Sequence, residues 1–304
     1  MLSLIYSNKG DIDSVRSMNF TKKNKDVELI IIDSLWNEKT REKLVDLTDY
    51  FKRVTYAPPK ERKQERRYDL ISCHNTGLAY CEEEWCMASG GRNEMRQNFL
   101  EKLKETIRNF GQGTSLKLLD ESLWMAGCKR GKFLRPNFVE CLNEMEKVFS
   151  YRIAIRPVEL EANMLDVKWN YCSRFPQRYV FLPSVPIGNK DERGFKMMQT
   201  CGFIIMPRQT WYSINGFNEQ YDVGCYWWDN DMFDRLIVNN IHIILDQQLM
   251  IYRHPHVSAC LPENPECKQI YEKNMTNFPL TSPNDFNIAE LHEEFMEKKQ
   301  EYIL

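Results

Sequence analysis

Apolar and polar positions fall in blocks along this chain, and their periods differ from one stretch to the next. Met1-Leu2-Ser3-Leu4-Ile5-Tyr6 is an apolar run that stops at the turn-like cluster Ser7-Asn8-Lys9-Gly10. Asp11 and Asp13 are good N-caps for a short helix toward Asn19. Glu28-Leu29-Ile30-Ile31-Ile32-Asp33 is a continuous run rich in β-branched residues, typical of a strand covered on both faces. Asn37 to Phe51 places Leu44, Leu47 and Phe51 at helical spacing, and Lys52-Arg53-Val54-Thr55-Tyr56 reads as the next strand. This βαβαβ order predicts a Rossmann-like parallel sheet.

Residues 57–91 read as irregular, opening on Pro58-Pro59 and a charged stretch from Lys60 to Arg67. Asn93 to Phe110 reads as an amphipathic helix with Phe99, Leu100, Leu103 and Ile107 on one side, stopped by Gly111-Gln112-Gly113. Ser115 to Asp120 is a strand ending in an acid, and a helix is expected from Asn137 to Phe149. Shorter strands and loops are expected from Tyr151 to Val185, with Tyr179-Val180-Phe181-Leu182 as one strand. Gly202 to Met206, Ile241 to Leu245 and Leu249 to Tyr252 read as three more. Asn287 to Tyr302 carries Ile288, Leu291, Phe295 and Tyr302, a packing helix. With no repeat, low-complexity segment or clear linker, the pattern predicts one compact α/β domain with a peripheral C-terminal arm.

Composition narrows this picture little. The chain has 304 residues, enough for a sizeable core, with 42% apolar and 28% charged residues. A formal net charge of −2 excludes a globally basic protein but not a local basic patch. None of the ten cysteines forms a CxxC, so free thiols in a reducing compartment are expected rather than structural zinc. An apolar strand starting at residue 1 leaves no room for a signal peptide, and no apolar run approaches the ~20 residues that span a bilayer. The expected location is therefore cytoplasmic, and the sequons at Asn19 and Asn274 are read as chance matches.

The chemistry is concentrated between Cys201 and Arg235. Gly216-Phe217-Asn218-Glu219 is followed by Trp227-Trp228-Asp229-Asn230-Asp231 and then Met232-Phe233-Asp234-Arg235. Two carboxylates one residue apart, behind two indoles at a helix start, suit proton acceptance. The segment resembles the acceptor-side half of GT-A glycosyltransferases, the nucleotide-sugar-dependent enzymes close to family 2. There a Gly-Phe-Asp-Glu-like turn precedes an acidic pair and then an Arg on a helix.

That resemblance implies a GT-A, Rossmann-like fold with a mixed, mostly parallel sheet over residues 1–260. The nucleotide-binding half would cover about 1–122 and the acceptor half about 123–260, with an arm over 261–304. It implies transfer of a sugar from a nucleotide-diphosphate sugar, UDP-linked by expectation, to an acceptor hydroxyl. Asp229 would be the base, with Asp231 beside it. Asp231 and Arg235 would also brace the helix. Ser7 and Asp33, at strand ends, would contact the nucleotide; Gly216, Glu219, Trp227 and Trp228 would contact donor or acceptor sugar.

A divalent cation, Mn²⁺ or Mg²⁺, is implied as a Lewis acid on the departing diphosphate. Its Asp-any-Asp motif has two placements here. If Asn75-Thr76-Gly77-Leu78 is the family's Asn-any-Gly helix segment, the motif falls at Ser89-Gly90-Gly91 without carboxylates. If Arg92 to Phe110 is that helix, it falls at Asp120-Glu121-Ser122, the preferred reading. His254, less so His256, would approach the cation. Lys52, Arg53, Lys60, Arg62, Lys63, Arg66 and Arg67 form the main basic concentration, diluted by Glu61 and Glu65. It suits a solvated loop, a grip on the donor diphosphate, or a nucleic-acid acceptor, as in phage transferases that glycosylate modified DNA bases. Two rivals remain: a nucleotidyltransferase on a related sheet, which wants a Gly-rich basic loop after strand one, and a non-catalytic nucleotide-sugar-binding module.

Overall fold

The computed structural model describes residues 2–10, 15, 23–62, 69–90, 93–95, 99–109, 114–120, 170–171, 179–182, 204–224, 227–239, 242–253, 264–276 and 279–304. Within them one ten-stranded sheet organises the chain. Its strands are β1 (Leu2–Asn8), β2 (Asn24–Asp33), β3 (Phe51–Ala57), β4 (Trp85–Gly90), β5 (Asn93–Met95), β6 (Thr114–Asp120), β7 (Asn170–Tyr171), β8 (Tyr179–Leu182), β9 (Ile204–Pro207) and β10 (His242–Arg253). The order is β3-β2-β1-β4-β9-β6-β10-β8-β7, with β5 paired to β10. The block β3-β2-β1-β4 is parallel throughout. β9 runs antiparallel to both β4 and β6, so β6 points the same way as β1, and α4 (Arg208–Ser213) follows β9 directly.

Alternation along the parallel strands sorts side chains to two faces. Leu2, Leu4 and Tyr6 join Leu29, Ile31, Val54, Tyr56 and Met87 on one face. Helix α3 (Phe99–Asn109) covers it with Phe99, Leu100 and Leu103. Ile5, Ile30, Ile32, Ala57, Cys86 and Ala88 lie on the other face. There they meet α2 (Leu70–Tyr80) and, beyond it, α7 (Ile288–Lys298). Gly77 lets α2 approach β1: a Cβ there would stand 2.2 Å from Ile5 Cγ2.

Several elements differ from the sequence reading. Helix α1 is only Glu38–Lys43; the chain then tightens into a 3₁₀ turn, Val45–Asp49, and Phe51 opens β3. The 3₁₀ period carries Leu44 and Leu47, three apart, onto the same core, so the apolar spacing is kept without a long α-helix. Residues 57–91, read as irregular, contain α2 and β4. Ile71 to Tyr80 are all buried, including Ser72, His74, Asn75 and Thr76. A helix wrapped on all sides has no polar face, so it shows no amphipathic period. The helix expected from Asn93 begins at Phe99, after the short strand β5. The two strands expected at 241–252 are one, β10, whose register slips between Leu245 and Met250. Of the helix expected at 11–19 only Val15 is described, helical and buried, and the helix expected at 137–149 lies outside the described residues.

The C-terminal helical arm is present and is packed in rather than appended. Lys299 Nζ, almost wholly buried, pairs with Glu28 and donates to the Tyr80 carbonyl at 2.6 Å. Ile303 bridges to Thr55, and Leu304 N donates to Val54 O at 3.0 Å. Among the described residues Cys73, Cys81 and Cys86 are buried free thiols, and the buried Cys267 Sγ donates to Tyr221 O at 3.7 Å.

Candidate active site

The chain leaves β1 for β2 on one side and later returns to β4 on the other. Such a reversal opens a crevice at the carboxyl ends of the two strands. Ser7 pairs with Gly90 there.

Ser7 lies two residues beyond Ile5, on the α2 face. Its Oγ is 2.8 Å from Nδ1 of His74. His74 is 2% exposed, and burial pushes its pKa down to about 4, so the ring is neutral near pH 7. It packs against Phe217, with centroids 5.3 Å apart, and against Trp228 at 5.9 Å. Trp228 is the first residue of α5 (Trp228–Val238), and Asp229 is the second. The start of the helix that bears Asp229 therefore stands beside the end of β1.

Next to His74, Asn75 grips the predicted sugar turn. Its Oδ1 accepts Phe217 N at 2.8 Å, and its Nδ2 donates to Phe217 O at 2.9 Å and to Glu219 at 3.0 Å. Asn215 and Gly216 both have positive φ, 55° and 64°, and a Cβ on Gly216 would stand 2.4 Å from Asn75 Oδ1. The turn therefore requires its glycine. From the other side it is held by the C-terminal segment. Ser282 Oγ donates to Gly216 O at 2.7 Å, and Asn284 Nδ2 donates to Asn215 O and Phe217 O. Asn284 Oδ1 accepts Glu219 N. Asn218 caps the 3₁₀ turn Glu219–Val223 by accepting Gln220 N, while its buried Nδ2 has no partner among the described residues.

The other sequence candidates fare differently. Asp33 is on the same rim but on the opposite face. One of its oxygens accepts Gly10 N and Leu35 N; the other accepts Asn8 Nδ2 and Tyr56 Oη. Those bonds occupy a carboxylate's acceptor sites, so Asp33 holds the rim turns in this conformation. Glu219 is also engaged, by Asn75 and by Lys60 at 2.9 Å, so its carboxylate is not open to a sugar. Asp231 is 0% exposed, paired with Arg235 and bonded to Tyr221 Oη and Asn274 Nδ2. Burial raises its pKa, and Arg235 opposes that. It braces α5 against α6 (Pro265–Thr276) and does not reach a substrate, a correction to its place in the catalytic pair. Trp227, at φ 67°, stacks on Tyr271 with centroids 4.8 Å apart.

Asp222 is a site residue the sequence reading missed. Its oxygens accept Ile71 N and Ser72 N at the start of α2, both at 3.0 Å, and Arg62 lies 3.3 Å away. Burial pushes its pKa up to about 7 despite those donors. His74 and Asn75 were missed as well, although the Asn75-Thr76-Gly77 segment was their signal. The basic concentration is not a free phosphate surface where it is described: Lys52 pairs with Glu83, Arg53 with Glu82, Lys60 with Glu219, and Arg62 with Asp69 and Asp222.

The preferred motif placement meets a difficulty. β4, not β6, adjoins β1, and α2, not α3, leads into it, so Ser89-Gly90 occupies the crevice edge. Leu29, Leu4, Met87, Ile205 and Leu116 share one row across the sheet. Four residues on, Asp120 is level with Asn8 and Asp33, but three strands from β1, about 14 Å at the usual strand spacing. His254 lies outside the described residues, just past Arg253, the end of β10. Among the described residues no group of three or more His, Cys, Asp or Glu could hold a metal ion. Uncharged Ser7, Ser89 and Gly90 do not fit a divalent cation, which wants several oxygen ligands, carboxylates among them. Among the described residues no helix is long and apolar enough to cross a membrane.

No protein-family model matches the sequence, and no curated protein matches it. Solved structures do. S. aureus TarS 1–349 in complex with UDP superposes with a TM-score of 0.52 at 11% identity, over 98% of this chain and 71% of that one. A second structure of S. aureus TarS 1–349 gives 0.50 at 11% identity, over 99% and 72%. A longer S. aureus TarS chain gives 0.50 at 10% identity, and 42% of it is covered by 98% of this chain. At such identities the likeness is one of fold.

Proposed function

We propose, from the GT-A fold that this likeness establishes, that the chain transfers a sugar from a nucleotide-diphosphate sugar to an acceptor hydroxyl. The observation that carries the reading is the contact of Trp228 with His74 and of His74 with Ser7. It puts the start of α5, with Asp229, at the β1–β4 crevice, where ligands bind in open α/β sheets. A nucleotide in the crevice would present the sugar's anomeric carbon toward the Gly216 turn and α5. Asp229 takes the proton from the acceptor hydroxyl. The oxygen then bonds to the anomeric carbon as the bond to the diphosphate oxygen breaks, and the nucleoside diphosphate leaves with the electron pair.

UDP is the proposed nucleotide, supported by fold-level analogy to TarS, whose structure holds UDP. The sugar is a hexose or pentose. The acceptor is a glycan hydroxyl rather than a nucleic-acid base, because the described cations at 52–62 are each matched by an acid. No step is routed through a metal; Asp120 and His254 are the residues on which any dependence on a cation would rest. The nucleotidyltransferase reading loses support, since Gly10 N after β1 is bonded to Asp33 at 2.7 Å rather than open to a phosphate.

A thermal-shift series with UDP-, GDP- and CMP-sugars, with and without Mn²⁺, tests the proposal alongside slow hydrolysis of the same donors. A UDP-sugar is expected to raise the melting temperature and to be hydrolysed. Stabilisation without hydrolysis leaves a binding module; no response to any nucleotide sugar overturns the reading.

A further inference from the structure

We propose that His74 is a positioning residue that couples nucleotide binding to the catalytic helix: its ring orients the Ser7 hydroxyl in the crevice and supports the start of α5 through Trp228. The inference rests on the reading above and goes past it, because it assigns a role to a residue that the sequence pattern did not single out. Among the described residues His74 contacts both sides of the proposed site, with Ser7 on β1 and with Phe217 and Trp228 on the acceptor side.

The chemistry follows from burial. A neutral imidazole has one N–H and one lone pair, on different nitrogens. With Nδ1 committed to Ser7, the hydroxyl is held either as donor or as acceptor toward that ring. Held as donor, it offers a ligand only lone pairs; held as acceptor, it has its own O–H to donate. At 2% exposure, water does not replace the ring. Asn75, one residue on, fixes Phe217 through both its backbone polar groups, so the ring also has a fixed wall to lean on. The hydrogen bond and the ring face are separable functions. An asparagine at 74 could keep the first and lose the second; a phenylalanine would do the reverse.

The test uses the full chain with UDP as probe, by calorimetry, and a UDP-sugar for turnover. Ser7→Ala and His74→Phe are each expected to weaken UDP about tenfold, the loss of one hydrogen bond at the site, and the double variant by about tenfold as well, because both remove the same interaction. His74→Asn is expected to hold UDP within about threefold while kcat falls about tenfold, since Trp228 loses its support. If His74→Phe binds UDP like the parent, or the two single losses multiply to about a hundredfold, the coupling does not exist. If His74→Phe fails to fold, His74→Asn decides: UDP binding and kcat falling together, or neither falling, overturns the assignment. An unmodified chain that does not bind UDP at all fails the underlying function, a different outcome from any of these.

Discussion

Two turns stand near the carboxyl rim of the sheet, and each contains a glycine at positive φ: Gly10 at 72° and Gly216 at 64°. They are fastened differently. At the first, Asp33 accepts Gly10 N and Leu35 N and is itself held by Asn8 and Tyr56, all from three adjacent parallel strands and the turns after them. That cluster completes itself once the strands pair. At the second, the partners are Asn75 from α2 and Ser282 and Asn284 from beyond α6, separated from the turn by 142, 66 and 67 residues respectively. That turn takes shape only when the last part of the chain closes over it. The Gly10 turn, at the end of the proposed nucleotide strands, is thus a product of local sheet formation, and the Gly216 turn, on the proposed sugar side, a product of long-range closure.

The sharpest test of this contrast is chemical. Asp229→Asn is expected to lower transfer by roughly 10²–10⁴-fold with the melting temperature unchanged, because it removes the proposed base and none of the hydrogen bonds just named. Full activity in that variant would show that the sugar side has been assembled around the wrong acid.

Next come the two glycines. Gly216→Ala must place a Cβ 2.4 Å from Asn75 Oδ1, in addition to the strain of the left-handed backbone. Gly10→Ala meets Leu35, with Cδ1 at 3.1 Å and Cβ at 3.4 Å, on a side chain that is 55% exposed and whose nearest atom can swing away. The left-handed conformation costs each variant roughly 1–2 kcal/mol, and the clash is expected to add about 1–3 kcal/mol to the first alone. Urea denaturation of the pair measures it. Equal losses would mean that the Gly216 turn is as compliant as the Gly10 turn, contrary to the bonding seen here.

Asn284→Ala should follow at about 1–3 kcal/mol, since it strips partners from Glu219 N and from two carbonyls of the turn. Its effect on turnover should exceed its effect on UDP affinity, because none of its contacts lies at Ser7. Equal effects on both would break the division between the two sides.

The same contrast explains what was legible in the sequence. The apolar runs at residues 2–6 and 28–33 are strands buried on both faces, and burial on both faces is what writes a continuous apolar run. The Gly-Phe-Asn-Glu turn and the helix after the tandem Trp were visible because backbone strain and a helix start each demand particular residues. Helix α2 was not visible: its inner positions are His74, Asn75, Thr76 and Gly77, chosen for contacts to Ser7, Phe217, Ser72 and Ile5 rather than for an amphipathic period. Taking Arg92 to Phe110 rather than α2 as the family's helix is what put the expected metal motif at Asp120, three strands from β1. Asp231 was misjudged for a related reason. Spacing shows that two acids share a helix turn, but not that Arg235 four residues on seals one of them away from solvent.

The smallest effect expected is a pH dependence in which two buried groups oppose each other. Asp222 has a folded pKa pushed up to about 7, above the ordinary 3.8. Between those values the unfolded chain has released a proton that the folded chain still holds, so this group's contribution falls as pH rises from about 4 to about 7. His74 has a folded pKa pushed down to about 4 from 6.5. There the unfolded chain holds the extra proton, so its contribution rises over about pH 4 to 6.5. With Arg62 and Glu219 facing Asp222 and the aromatic rings of Phe217 and Trp228 facing His74, these two contributions slope in opposite directions in the parent over this range. Asp222→Asn removes the falling contribution and should leave stability climbing between about pH 4.5 and 6.5; His74→Phe removes the rising one and should leave it declining toward about pH 7. Urea midpoints across the range read both slopes. If the Asp222→Asn profile parallels the parent's, that carboxyl is ionised in the fold, and Arg62 with the two α2 amides outweighs its burial.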